Sequence, residues 1–265
     1  MNRVIPGLIL AVAWLILLIL APAWVFGLVL LMGAAIAVSE FFRMAFPVLQ
    51  GMSRVCAILC ALMPVIASCF GQAELVLFAL FLTLCGFIGM GLARYSSWDN
   101  VQHLLSTGCF AGLYLGLCSA YLMLLRLLPN GSFWLILLTA IIAGSDTGAY
   151  YAGRLFGRRK IFPNISPKKT LAGVVGGVLC GVICALITHF FMKGPLAVVV
   201  LIPATVLLVC IGIAGDLTES MIKRASGVKD SGSILAGHGG LLDRIDSLLL
   251  SAPALYYLLY FQGAL

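Results

Sequence analysis

Residues 215–246 read GDLTESMIKRASGVKDSGSILAGHGGLLDRID. This stretch holds five of the nine acidic residues of the 265-residue chain and four of its sixteen basic ones. The sequence on either side is close to pure hydrocarbon. Of all residues, 63% are hydrophobic and only 9% are charged, against about 25% charged in a soluble domain. The chain therefore reads as an all-α, polytopic integral membrane protein whose apolar helices hold one polar, cytoplasm-facing loop region.

A membrane-crossing helix needs about 20 apolar residues. Nine stretches answer to this: 4–20, 24–42, 55–70, 75–92, 104–127, 133–152, 171–192, 196–215 and 245–261. Pro22 breaks the first two into a tight hairpin. Arg3 ahead of the first run and Ala21-Pro22-Ala23 after it resemble a signal peptide and its cleavage site; the weak basic region and long run favour a retained helix. Residues 1–130 are expected to be scaffold helices and 131–265 the catalytic region, within one structural unit. Up to about Leu92 the chain shows almost no polar chemistry.

The net charge of +7 is no nucleic-acid signal in so apolar a chain; basic residues here report topology first. With the N-terminus in the cytoplasm, fourteen Lys and Arg fall on the inner side and only Arg126 and Lys193 on the outer. The expected site is a bacterial inner (cytoplasmic) membrane, with the C-terminus outside. The nine cysteines include no Cys-x-x-Cys pair and read as small apolar residues.

Asp216, Glu219, Ser220 and Lys223 are spaced to share one helix face if the eighth span continues past the membrane. Asp243 and Asp246 share a face of the last span. Carboxylates at an apolar boundary are costly unless they pair with cations or face water. Two such pairs on adjacent helices would give Mg²⁺ the hard oxygen ligands it accepts, with phosphates completing the shell. The alternative is salt bridging to Lys223, Arg224 and Arg244. Between the two helices lie Lys229-Asp230 and Gly237-His238-Gly239-Gly240. Such glycines let backbone N–H groups approach phosphate oxygens, and His238 is open to reading as an ordinary loop histidine.

A second constellation begins at Gly144-Ser-Asp-Thr-Gly-Ala-Tyr150, with Asp146 inside an apolar span. An intramembrane carboxylate suggests function; hydrogen bonding through Ser145 and Thr147 is the alternative. Arg154 and Arg158 follow. Ile165-Ser-Pro-Lys-Lys-Thr170 then opens the seventh span. Pro167 is expected to pre-set φ at the helix start, with Lys168, Lys169 and Thr170 facing an anion at the positive end of the dipole. A positive-inside anchor would explain the charge alone. Gly173, Gly176 and Gly177 allow close helix packing.

The run Ser220-x-x-Lys223-Arg224, Lys229-Asp230, Gly237-His238-Gly239-Gly240, Asp243-Arg244-x-Asp246 resembles the signature of the CDP-diacylglycerol synthases, or phosphatidate cytidylyltransferases. The Asp146 segment and Ser166-Pro-Lys-Lys-Thr170 resemble that family as well. The likeness covers about residues 140–250. It departs at Ala236, where the family usually has Pro or Gly, and at Leu171-Ala172, where it usually has an aromatic residue followed by Glu or Gln.

The resemblance implies transfer of CMP from CTP to phosphatidic acid, giving CDP-diacylglycerol and pyrophosphate. It implies a catalytic set of Asp216, Ser220, Lys223, Arg224, Lys229, Asp230, His238, Asp243, Arg244 and Asp246. Asp146, Arg154, Arg158, Ser166, Lys168, Lys169, Thr170, Gly239 and Gly240 would bind substrate. Mg²⁺ would sit on Asp216, Asp243 and Asp246, with a second cation left open. The partners are CTP, phosphatidic acid and membrane lipid, no nucleic acid, and a homodimer is left open. A transporter with Asp146 as coupling site is the rival class, but its polar groups would cluster near the midplane on broken helices. A purely structural membrane protein leaves the clustered Asp, Lys and Gly unexplained.

Overall fold

The computed structural model describes residues 4–95, 100–232 and 239–263. Most of these residues are helical: α1 Val4–Leu20, α2 Ala23–Ala45, α3 Gly51–Ser68, α4 Ala73–Ala93, α5 Val101–Phe110, a π-helical stretch Ala111–Leu117, α6 Cys118–Leu127, α7 Gly131–Phe156, α8 Leu171–Met192, α9 Val198–Ala225 and α10 Leu242–Phe261. With α5, the π-helical stretch and α6 forming one continuous rod, the rods follow the nine expected spans. Among the described residues, seven of them are long and apolar enough to cross a membrane. The described part of α1 is shorter, and α10 begins with Asp243, Arg244 and Asp246. The chain divides into two compact units: Met1–Leu127 with Ala225–Ile245, and Leu128–Arg224 with Asp246–Leu265.

In the first unit, α2 and the α5–α6 rod run antiparallel, pinned at both ends. Arg126 Nη2 donates to the Ala21 carbonyl at 2.7 Å, and His103 Nε2 lies 2.9 Å from the Ala45 carbonyl. Between α3 and α4 one bond has a clear covalent cause. Pro64 sits inside α3 and has no N–H for the Cys60 carbonyl one turn back. Thr83 Oγ1 on α4 donates to that carbonyl at 2.8 Å, supplying the partner that lipid cannot.

In the second unit, α7 and α8 form an antiparallel hairpin. Gly173, Gly177, Gly181 and Ala185 are buried on one face of α8, while Leu171, Val175, Leu179, Ile183 and Ile187 are exposed on another. The small residues let the backbones close together: a Cβ on Gly148 would stand 2.5 Å from the Gly176 carbonyl oxygen. The exposed aliphatic face suits lipid. The helix begins one residue after Thr170, whose Oγ1 caps it by accepting the Gly173 N–H at 3.1 Å. Pro167 is therefore not at the helix start. It is the second residue of a turn closed by Lys169 N–H on the Ser166 carbonyl at 3.2 Å, a position its fixed φ favours.

The last long rod, α9, does continue past the apolar stretch, to 28 residues. At 1.5 Å per residue it is about 42 Å long, roughly 12 Å more than a hydrocarbon core. Asp216, Glu219, Lys223 and Arg224 all lie in its last three turns.

Candidate active site

The second unit gathers most of the expected residues. A cavity of about 310 Å³ is lined by Asp146 and Tyr150 from α7, by Ser166, Lys168 and Lys169 ahead of α8, and by Asp216 from α9. Thr170 also lines it, though its hydroxyl caps α8. The hairpin loop that carries the lysines is closed on itself: Ile161 N–H donates to the Lys169 carbonyl at 3.1 Å, and Leu171 N–H to the Arg159 carbonyl at 3.0 Å. Thr147, beside Asp146, spends its hydroxyl on the Ala143 carbonyl of its own helix at 2.8 Å.

Lys169 Nζ pairs with Asp216 Oδ2 at 2.9 Å. Asp216, Glu219 and Asp246 each offer a carboxylate oxygen within 4.8 Å of the others. Two helices meet here closely, since a Cβ on Gly215 would stand 2.5 Å from the Asp246 carbonyl oxygen. Ser220 Oγ reaches Asp216 Oδ1 at 3.3 Å, and Lys223 Nζ pairs with Glu219 Oε2 at 2.6 Å. Asp246 Oδ1 accepts the Ser247 N–H at 2.6 Å. Three carboxylates thus converge, and two of them also carry a lysine. This donor set of hard oxygens fits a divalent cation. Glu219, spaced in the sequence to share a face with Asp216 but not among the expected metal ligands, belongs to that group.

The remaining cations of this unit lie apart from the cavity or at its rim. Arg154 Nη1 is 3.4 Å from the Tyr150 hydroxyl. Arg158 and Arg159 line a different groove of about 540 Å³, floored by Ala152, Val175 and Leu179. Arg224 Nε is 3.5 Å from the Ile165 carbonyl.

The first unit holds the rest of the signature. Asp243 is not in the acidic trio. Its Oδ2 accepts the Ser231 N–H at 3.0 Å, the Ser231 hydroxyl at 2.9 Å and the Gly240 N–H at 2.8 Å. It organises the loop that returns to α10. Lys229, Asp230 and Arg244 are exposed, Gly239 is partly so, and Gly240 is buried. His238 and Gly237 lie outside the described residues.

One acid here overturns the expectation that the N-terminal helices lack polar chemistry. Glu40, on α2, is 1% exposed. Its Oε1 accepts the Leu241 N–H at 3.1 Å and its Oε2 the Leu242 N–H at 3.0 Å. The signal was present in the sequence: Glu40 is the only acid in its span, and an intramembrane carboxylate calls for a partner.

The model of the Cytidylyltransferase family matches residues 1–262, and the chain belongs to that family. It is 33% identical over 267 residues to a phosphatidate cytidylyltransferase of Bacillus subtilis (strain 168), covering 97% of each chain. It is 31% identical over 281 residues to the chloroplastic phosphatidate cytidylyltransferase 5 of Arabidopsis thaliana, covering 93% of this chain and 68% of that one. A phosphatidate cytidylyltransferase of Pseudomonas aeruginosa is 43% identical over 143 residues, 54% of this chain and 53% of its own.

Proposed function

We infer that this chain is a phosphatidate cytidylyltransferase. It transfers CMP from CTP to phosphatidic acid and releases pyrophosphate. The family membership supports this directly. The observation that carries it at the level of residues is the cavity where Lys168 and Lys169 meet Asp146 and Asp216. A nucleotide triphosphate needs cations for its oxygens and carboxylates for its counter-ion, and both are present within one helical unit.

In the reaction, an oxygen of the lipid phosphate attacks the α-phosphorus of CTP. The bond from that phosphorus to the bridging oxygen breaks, and pyrophosphate leaves with the electron pair. Such transfer needs positioning and charge stabilisation rather than a protein nucleophile. Lys168 and Lys169 bind phosphate oxygens, helped by the α8 N-terminus. Asp216, Glu219 and Asp246 would hold Mg²⁺, which neutralises phosphate charge when bound. Lys223 and Ser220 keep those carboxylates in place. Arg158 and Arg159, at the edge of an apolar groove, draw the anionic headgroup of the lipid in on its way to the cavity, while Val175 and Leu179 receive an acyl chain.

The split of basic residues supports a cytoplasmic N-terminus and an outer C-terminus in a bacterial inner membrane. The decisive assay is simple. Purified protein is given radiolabelled CTP, phosphatidic acid and Mg²⁺, and label is counted in the organic phase. Label there supports the reading; none, with active protein confirmed by CTP binding, sinks it.

A further inference from the structure

The residue ahead of α10, Leu241, has no side chain able to cap a helix. The first N–H groups of a helix lack partners within it, and Leu242 is fully buried. Glu40 supplies the missing acceptor from α2, some two hundred residues earlier in the chain. Each carboxylate oxygen takes one of two successive N–H groups, Leu241 on Oε1 and Leu242 on Oε2. A glutamine could accept through one oxygen only and would turn N–H against N–H at the other. The carboxylate also meets the positive end of the α10 dipole.

Glu40 touches the other end of the loop too. Ser231 Oγ is 3.4 Å from its Oε2 and 2.9 Å from Asp243 Oδ2, so one hydroxyl stands between the two carboxylates. A Cβ on Gly232 or on Gly240 would overlap the Glu40 carboxylate; glycine at both places lets the backbone close on it. Residues 231–232 and 240–242 thus both seat on one buried acid. They flank 233–238, within which His238 belongs to the signature.

We propose that Glu40 is the positioning residue of the signature loop: from α2 it clamps both flanks of the loop and the start of α10 in the arrangement that turnover requires. The proposal rests on the cytidylyltransferase reading above. Glu40 touches no reacting atom in this view; it acts through Ser231, Gly240 and Leu242.

The test compares full-length wild type with Glu40→Gln, Gly232→Ala and, as a control, Glu74→Gln, an exposed acid at the start of α4. Two quantities are read: amide hydrogen exchange by peptide, and turnover per bound CTP. Misplacement of catalytic groups by about 1 Å can cost on the order of 10²-fold. Glu40→Gln is expected to speed exchange only in peptides covering 226–232 and 239–246. Its turnover per bound CTP is expected to fall at least about tenfold. Gly232→Ala, which keeps the carboxylate but pushes the loop off it, is expected to do the same, and it decides the matter if Glu40→Gln does not fold. Glu74→Gln is expected to match wild type. Wild-type exchange in those peptides, wild-type turnover per bound CTP, or faster exchange spread across α2 to α6 would each overturn the proposal; the last outcome describes a merely structural acid. If wild type itself makes no lipid product, the enzymatic reading fails, while the exchange comparison still decides whether Glu40 holds the loop.

Discussion

Lys169 Nζ lies 2.9 Å from Asp216 Oδ2 and 3.2 Å from the Ile213 carbonyl. One ammonium therefore ties the loop ahead of α8 to the acid-bearing face of α9. Its neighbour Lys168 is exposed in the same cavity.

The two lysines are expected to behave differently. Lys168→Gln removes a phosphate contact made on binding and should raise the KM for CTP about tenfold, the worth of one charge-assisted hydrogen bond, with kcat nearly unchanged. Lys169→Gln also unpins Asp216, so kcat should fall as well. Steady-state kinetics with each substrate varied separates the two. Equal effects would mean that the Lys169–Asp216 pair has no part in turnover.

For the acidic trio, Asp216→Asn and Asp246→Asn keep shape and remove charge. Loss of a group stabilising the transferring phosphates can cost on the order of 10²–10³ in rate. Turnover should nearly vanish while yield and elution profile stay normal, and a chelator should silence wild type until Mg²⁺ is restored. Asp243→Asn should differ, because that carboxylate accepts three loop donors. Its loss should loosen the loop and should not respond to added Mg²⁺. Variants that purify well and keep more than about a tenth of wild-type rate would refute the assignment.

The groove beside α8 offers a substrate-specific readout. Replacing Arg158 and Arg159 with Gln should raise the KM for phosphatidic acid and leave that for CTP unchanged. A rise in the CTP value alone would move the pair to the nucleotide.

Stability in the first unit should depend on Thr83. Thr83→Val strands the carbonyl that Pro64 leaves over, whereas Thr83→Ser keeps the donor. Interhelical hydrogen bonds in membranes average roughly 0.6 kcal/mol and reach about 1.7. A lower thermal midpoint for Thr83→Val than for Thr83→Ser, in the same detergent, is the expected result; the reverse order would dismiss the bond.

The rods were legible because the bilayer sets their length and leaves little choice of structure. The convergence of Asp216 with Asp246 was legible in part, since i,i+3 spacing marks a helix face. Asp243 shares that face by spacing alone, yet its carboxylate turns to the Ser231 and Gly240 amides, a choice that depends on how the loop folds back. Thr170 was read only as an anion ligand; that its hydroxyl caps the helix is visible only once α8 is known to start at Leu171. Glu40 was the least legible, because its partners lie some two hundred positions away and nothing in its own helix points to them.

The overhang of α9 bears on how the reaction should be measured. A helix about 12 Å longer than the hydrocarbon, with its acids in the last three turns, would on the proposed reading fix the chemistry at one depth, where a lipid phosphate and a dissolved nucleotide meet. One reactant then reaches the protein by lateral diffusion in two dimensions and the other from bulk solution in three. Velocity should follow the mole fraction of phosphatidic acid in the bilayer, not its molar concentration in the tube. Adding inert lipid at constant total phosphatidic acid should slow the enzyme by surface dilution, while adding buffer should dilute only the nucleotide.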